Sequence, residues 1–272
     1  MKAVVTVPVC PLMLRPDRRG ERADEALLGM AVEILDSPSP GWLRVRTHYG
    51  YTGCAEEGNL LCGEDRTARW AALPKAVVVR GLCDVLSAPA VESWPLASLT
   101  RGAVVSPRGV PDEKGWQKIL LPDGREGYMK RGFLGPYYEL PAFSEETALR
   151  AAIVETAKSY LGTHYRWGGK TPLGIDCSGL ASMAYLLNGV IIWRDAKLKE
   201  GYPLRPIPPE EVKPADLLFF PGHVAMYLGD GRYIHATARD GSDGVVINSL
   251  NPAHPDYRPN LPEKLTAVGS IF

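Results

Sequence analysis

The chain has 272 residues, with 31 Lys+Arg against 31 Asp+Glu, 45% hydrophobic residues and 8% aromatics. This balance, with no basic stripe anywhere, excludes a general polyanion or nucleic-acid binder, because neutralising phosphates takes a surplus of Lys and Arg. No run approaches the roughly 18 uninterrupted apolar residues of a membrane-spanning helix, and the length exceeds what one small core needs, so two or three domains are expected.

The opening stretch, MKAVVTVPVCPLMLRPDRRGE, begins with one Lys and a short apolar run, but Pro8 and Pro11 interrupt it and no small-residue cleavage site follows. It predicts a strand of the mature protein rather than a signal peptide, and with it a cytoplasmic location; a removed leader would move that expectation to the periplasm or the exterior. Short β-rich runs then alternate with turn clusters. Residues 1–66 offer VVTVPV, MLRP, AVEILD, WLRVRTHYGYTGCA and a closing NLL, and residues 75–135 offer AVVVRGLCDVLS, LTRGAVVSP, WQKILLPDGREGYM and a closing FLG. The two stretches share a plan in which a Gly-Trp pair (Gly41-Trp42 and Gly115-Trp116) starts a strand that a tight turn returns. About five short strands in about 60 residues is the rhythm of a small SH3-like barrel, so two tandem barrels are predicted, with domains at 1–66, 67–140 and 141–272. Trp42, Trp94, Trp116 and Trp167 are expected to be packing residues.

A proline-bracketed connector, Pro136 to Pro141, precedes a change of character. Ser144-Glu145-Glu146-Thr147 predicts the start of a helix with Leu149, Ile153, Ala157 and Leu161 on its apolar side and Gly162 as its stop. Asp176-Cys177-Ser178-Gly179 opens a second helix, with Leu180, Met183, Ala184 and Leu187 on its apolar face. After a proline-rich stretch come the strand-like runs DLLFF, HVAMYLG, RYIHATA and GVVINSL. Two helices followed by antiparallel strands make an α+β domain.

Five cysteines, Cys10, Cys54, Cys62, Cys83 and Cys177, show no CxxC spacing and are expected to be free thiols in a reducing compartment. Cys10, Cys54 and Cys62 with His48 lack the short ligand spacing of a metal site, so neither metal nor cofactor is expected. Cys177 is different, because it sits at a helix entry, where the helix N-terminus favours thiolate over thiol. His223 and His235 lie on one hairpin turned by Gly229-Asp230-Gly231. A plain two-residue loop would point the two imidazoles to opposite faces. A shared site therefore demands a three-residue register or a bulge that sets 225 opposite 235.

Five ordered blocks resemble the NlpC/p60 cysteine peptidases of bacterial cell-wall metabolism: Tyr165-Arg166-Trp167-Gly168-Gly169, Asp176-Cys177-Ser178-Gly179-Leu180, Pro214 to Phe220, Gly222 to Gly229, and Tyr233-Ile234-His235-Ala236. The resemblance covers residues from about 145 to 272 and implies a papain-like core with Cys177 as nucleophile, His223 as general base and His235 as the group orienting it. The Cys177 backbone N–H is the natural oxyanion donor and the Tyr165 side chain a candidate second one. Set behind two SH3-like domains, such a chain is similar to the γ-D-glutamyl-L-diamino acid endopeptidases, which cut murein stem peptides between D-Glu and Lys or meso-diaminopimelate. In that subgroup the first barrel partly roofs the cleft and selects a free N-terminal L-Ala. The resemblance implies Asp176, Ser178, Tyr51 and Glu25 as amine and substrate contacts, and Arg194-Asp195 as the step shaping the substrate loop; Ala196 stands where a small hydroxyl residue is common. The implied partners are murein-derived peptides, with no nucleic acid and no membrane span, in cell-wall recycling. The rival readings are an N-acetylmuramoyl-L-alanine amidase or related Cys-His amide hydrolase, and a non-catalytic peptidoglycan-binding protein.

Overall fold

The computed structural model describes all of residues 1–272 and divides into two compact units, Met1–Tyr137 and Tyr138–Phe272. The first begins with β1 (Lys2–Val5), β2 (Val9–Met13), β3 (Arg22–Leu27), β4 (Ala31–Ser39), β5 (Trp42–Thr47), β6 (Thr52–Glu56) and β7 (Leu60–Cys62), followed by helix α1 (Glu64–Ala72). It continues with β8 (Ala76–Val78), β9 (Leu82–Leu86), β10 (Pro95–Thr100), β11 (Val104–Arg108), β12 (Trp116–Leu120), β13 (Glu126–Lys130) and β14 (Leu134–Pro136). The strand orders are β3-β2-β6-β5-β4-β1-β7 and β10-β9-β13-β12-β11-β8-β14, so adding seven to each label of the first sheet reproduces the second. The repeat read from the sequence is therefore a repeat of topology. Gly41 and Gly115 occupy the same turn in the two copies, each at φ 76°, a left-handed conformation that glycine enters without a Cβ penalty.

Each copy has seven strands, not the five expected, and no pairing joins β3 to β7 or β10 to β14. In the first copy the additional strands are β3, Arg22–Leu27, which carries no alternating pattern, and the second of the two strands, β5 and β6, into which the single run WLRVRTHYGYTGCA divides. The copies also share packing. Leu28, fully buried, lies in the core of the second sheet with Val78, Val85, Leu99, Val105 and Ile119. The Val104 N–H donates to the Leu28 carbonyl at 2.8 Å, and Trp70 of α1 packs on Val4, Leu61 and Val104. Helix α1 was not expected, and its Trp70 indole donates to the Gly29 carbonyl at 3.0 Å. Of the tryptophans expected to pack, Trp116 is buried, but Trp94 is 76% and Trp167 61% exposed. Trp94 stands in the β9–β10 loop and Trp167 in the turn before the second strand pair below, where no apolar periodicity directs them inward.

The second unit holds α2 (Glu146–Lys158), the two-residue pair β15 (Lys170–Thr171) and β16 (Gly174–Ile175), α3 (Cys177–Leu186), and β17 (Arg205–Ile207), β18 (Leu217–Phe220), β19 (His223–Gly229), β20 (Arg232–Thr237), β21 (Gly244–Ser249) and β22 (Ala267–Ser270). The last six form one antiparallel sheet in the order β17-β22-β18-β19-β20-β21. This is the expected α+β arrangement, with β17 and β22 added at one edge. Helix α2 is capped by Glu145, whose carboxylate accepts from the Thr147 and Ala148 N–H groups, one residue later than the serine suggests. It ends at Lys158, so Leu161 lies beyond it, 47% exposed. Arg150 of α2, almost fully buried, donates to Asp216 at 2.8 Å and to the Pro214 carbonyl at 2.7 Å, tying the helix to the start of β18. Helix α3 packs on α2, β19 and β20, with Leu180, Met183 and Ala184 buried as their spacing predicts.

Candidate active site

Asp176 starts α3 as its N-cap, its Oδ1 accepting from the Gly179 N–H at 2.6 Å. That places Cys177 at the first helical position, where a backbone N–H has no intrahelical acceptor. The Cys177 N–H finds no other acceptor in the protein and remains available to a ligand. The helix entry lies hard against the turn carrying Gly169. A Cβ on Gly179 would stand 2.2 Å from the Gly169 carbonyl oxygen, so only glycine fits there.

Asp176 does more than cap. Its Oδ2 accepts from the Gly168 N–H at 2.8 Å, and the Arg194 guanidinium spans both oxygens at 3.0 Å each. Arg194 also donates to Ser178 Oγ at 2.8 Å and to the Gly169 carbonyl at 3.2 Å. With 2% exposure, Arg194 is a clamp on the loop and helix entry, not a side chain offered to a ligand. Ser178, also buried, donates to Asp176 at 3.2 Å. Asp195 lies on the surface side of the same step and accepts from the Trp193 indole at 3.2 Å.

On the sheet, Met226 pairs with Ile234 and Tyr227 with Tyr233, followed by a bulge and the pair Gly229–Arg232. The turn residues Asp230 and Gly231 both have positive φ, 50° and 70°, as a tight two-residue hairpin turn requires. The bulge at Leu228 restores the register in which 225 opposes 235, so the second of the two allowed solutions is the one used. His223 and His235 thus share a face as diagonal neighbours, and His223 Nε2 lies 2.7 Å from His235 Nδ1. On the next strand His235 pairs with Val246, which puts Asn248 diagonal to His235 on that same face. His235 Nε2 lies 2.9 Å from Asn248 Oδ1, and Asn248 Nδ2 donates to the Asp256 carbonyl at 3.1 Å. Asn248 escaped the sequence reading. Its signal, a polar residue with the parity of Val246 in GVVINS, becomes legible only once the β20–β21 register is known.

The Cys177 sulfur meets this row at the start of β19. The backbone N–H of Val224, next to His223, and that of Ser178 face the sulfur and favour its anion. Burial outweighs them: with 6% exposure, and with the Asp176 carboxylate adjoining, the thiol is pushed up to about 11. The expectation of a thiol lowered by the helix terminus is therefore reversed at rest. Burial, then the Arg258 cation, pushes His223 down to about 4; burial, then the charge of His223, pushes His235 down to about 3. Thiol and imidazoles rest neutral at pH 7. Tyr165 bridges to Ile175 just before Asp176, and its phenol is raised by burial and then by the charges of Cys177 and Asp176, so it is a neutral hydroxyl within electrostatic reach of the sulfur.

The structure thus brings Cys177, His223, His235, Tyr165, Asp176, Ser178 and Arg194 together in one unit. Tyr51 and Glu25 belong to the other. Glu25, in β3, is buried and paired with Arg22 at 2.8 Å, and Tyr51 lies at the β5–β6 turn, its N–H on Thr47 Oγ1.

The NlpC/P60 family profile matches residues 162–258, the segment that carries this constellation. Over its whole length the chain is 42% identical to "Dipeptidyl-peptidase 6" of Lysinibacillus sphaericus, with 100% of each chain covered. The chain belongs to the NlpC/P60 family. It is also 26% identical over 247 residues to "Gamma-D-glutamyl-L-lysine dipeptidyl-peptidase" of Bacillus cereus, covering 82% of this chain and 69% of that one. A crystal structure of an NlpC/P60 family protein from Bacillus cereus superposes with a TM-score of 0.81 at 21% identity, covering 98% of both chains, which shows a shared fold across both units.

Proposed function

We propose that this NlpC/P60 protein is a cysteine peptidase that hydrolyses the γ-D-glutamyl to L-diamino acid bond of murein stem peptides. The observation that carries the reading is Cys177 at the open first turn of α3, beside a strand whose His223 is hydrogen-bonded to His235. The name of the Lysinibacillus relative supports a peptidase, and that of the Bacillus cereus relative supports the bond class.

In the proposed reaction His223 takes the Cys177 thiol proton as the sulfur attacks the amide carbonyl, which turns two neutral groups into a thiolate-derived nucleophile and an imidazolium. The developing oxyanion receives the Cys177 N–H and the Tyr165 hydroxyl. His223 then protonates the departing amine of the diamino acid, and water, deprotonated by His223, hydrolyses the thioester. His235 orients His223. Asp176 and Ser178 are the residues of this unit proposed to meet the substrate's free α-amino group. We further infer that residues 1–66 and 67–140 are SH3-like modules ahead of a catalytic domain at 141–272, a reading supported by their repeated strand order. Recycling of small murein peptides in the cytoplasm fits a requirement for a free amine.

The test is mass spectrometry of products from L-Ala-γ-D-Glu-L-Lys and from its N-acetylated form, with wild type and Cys177→Ala. Cleavage of the free-amine peptide alone, lost in the variant, is expected. Equal cleavage of both peptides would discard the amine requirement, and activity in Cys177→Ala would discard the nucleophile.

A further inference from the structure

The three polar side chains His223, His235 and Asn248 step diagonally across β19, β20 and β21, and the last is anchored outside the sheet. Asn248 Nδ2 donates to the Asp256 carbonyl at 3.1 Å, and that carbonyl is itself held to β21 by the Ser249 N–H at 3.0 Å. A carbonyl oxygen can only accept, so the amide of Asn248 has one permitted orientation, with its oxygen toward His235. The opposite orientation would set two acceptors face to face at Asp256.

From this fixed end the protons of the row follow in order. Asn248 Oδ1 only accepts, so His235 Nε2, 2.9 Å away, donates. A neutral imidazole carries one ring proton, so His235 Nδ1 is a lone pair. His223 Nε2, 2.7 Å from it, must then donate, and His223 is left with its lone pair on Nδ1. We infer that Asn248 is a positioning residue that fixes both histidine tautomers from a backbone carbonyl, so that His223 offers Nδ1, not Nε2, as the base. The inference rests on the peptidase reading for its kinetic consequence, but the tautomers themselves do not depend on any substrate. Their value to the reaction is that a base with the wrong nitrogen protonated cannot take the thiol proton at all.

The experiment is long-range 15N–1H NMR of the full chain with 15N-labelled histidine at pH 7, the five histidines being assigned by single substitutions. His223 and His235 are both expected as Nε2–H tautomers. In Asn248→Leu, which fills the space without an acceptor, His235 is expected to populate Nδ1–H. Asn248→Gln, which retains both an amide oxygen to accept and an amide N–H to donate, is expected to keep the wild-type pattern. On L-Ala-γ-D-Glu-L-Lys, Asn248→Leu should lose kcat by about 100-fold with KM unchanged, and Asn248→Gln should recover most of it. An Nδ1–H signal for either histidine in the wild type, or unchanged tautomers in Asn248→Leu, would overturn the inference. Wild-type tautomers as stated together with no cleavage of the peptide would support it while refuting the proposed substrate.

Discussion

Arg194 offers a test of how the site is held together. Its guanidinium, 2% exposed, makes two 3.0 Å bonds to Asp176, one to Ser178 and one to the Gly169 carbonyl. Arg194→Met keeps most of the volume and removes the charge. Breaking a buried ion pair by deleting one partner costs about 3–5 kcal/mol, because the other charge is left in a poorly solvated place. Here the stranded carboxylate keeps the Gly168 and Gly179 N–H groups and the Ser178 hydroxyl, so the lower end, about 3 kcal/mol, is expected. The double variant Arg194→Met/Asp176→Asn removes the stranded charge and should recover about 1–2 kcal/mol of that loss, the coupling expected of contacting residues. Hydrogen exchange of α3 amides at increasing urea reads the local opening free energy directly and is indifferent to the N-terminal unit. If Arg194→Met left α3 protection within about 0.5 kcal/mol of wild type, the change typical of an exposed surface position, and instead raised KM, Arg194 would be a substrate ligand and the clamp argument would fail.

Cys177→Ser should fold normally and lose hydrolysis, as judged by an unchanged far-UV spectrum and absence of product; residual turnover above background would identify another nucleophile. The raised Cys177 thiol predicts that iodoacetamide labelling of this residue, followed by peptide mass spectrometry, keeps rising with pH beyond 9, and a plateau near neutrality would show a preformed thiolate instead. Because His223 is lowered to about 4 from 6.5, the native state resists protonation that the unfolded chain accepts. The stability of the unit is then complete above about pH 6.5 and falls as the pH drops toward 4, by about 3 kcal/mol from this residue at about 1.4 kcal/mol per pKa unit; a flat stability profile between pH 6.5 and 4 would contradict the burial argument. Gly179→Ala drives a Cβ to 2.2 Å from the Gly169 oxygen, a backbone contact that no rotamer relieves, so the helix entry must shift. A loss of about 1–3 kcal/mol with a collapse of kcat is expected, and wild-type kcat would show that the first turn of α3 need not be rigid.

The parts of this molecule that the chain announces are those governed by local rules. Asp176 and Cys177 could be placed at a helix entry because capping is a matter of one residue and its next three neighbours. The His223–His235 pairing could be narrowed to two registers because Gly229-Asp230-Gly231 leaves few ways to turn a hairpin, although only the structure selects the bulge at Leu228. Asn248 was hidden because β20 and β21 are joined by residues 238–243, and a loop of that length does not fix a register. Arg194 was recognised as part of a motif that shapes the substrate loop, but its partner was not, since nothing local to Trp193-Arg194-Asp195 says that its guanidinium turns inward to a carboxylate 18 residues away. The N-terminal repeat was visible in its Gly-Trp turns, whereas the strand β3 and the helix α1 were not, being too polar to show a period.

The two halves of the site are stabilised by opposite strategies, and the chemistry depends on the difference. Around Asp176 every charge is matched: a carboxylate, a guanidinium and backbone N–H groups fill one another's valences, and the first turn of α3 is immobilised with its Cys177 N–H left over. Along His223, His235 and Asn248 there is no charge at rest, only a row of neutral hydrogen bonds that ends on a carbonyl. An anionic partner at the end of that row would raise the imidazole pKa and hold an imidazolium in the resting enzyme, with no lone pair left to take the thiol proton. A neutral amide instead keeps the imidazoles unprotonated yet still accepts a hydrogen bond from the charge when it forms. The cost of creating thiolate and imidazolium in a buried site therefore falls in the reaction itself, and the fixed dipoles at the α3 N-terminus, already paid for in folding, are what lower it.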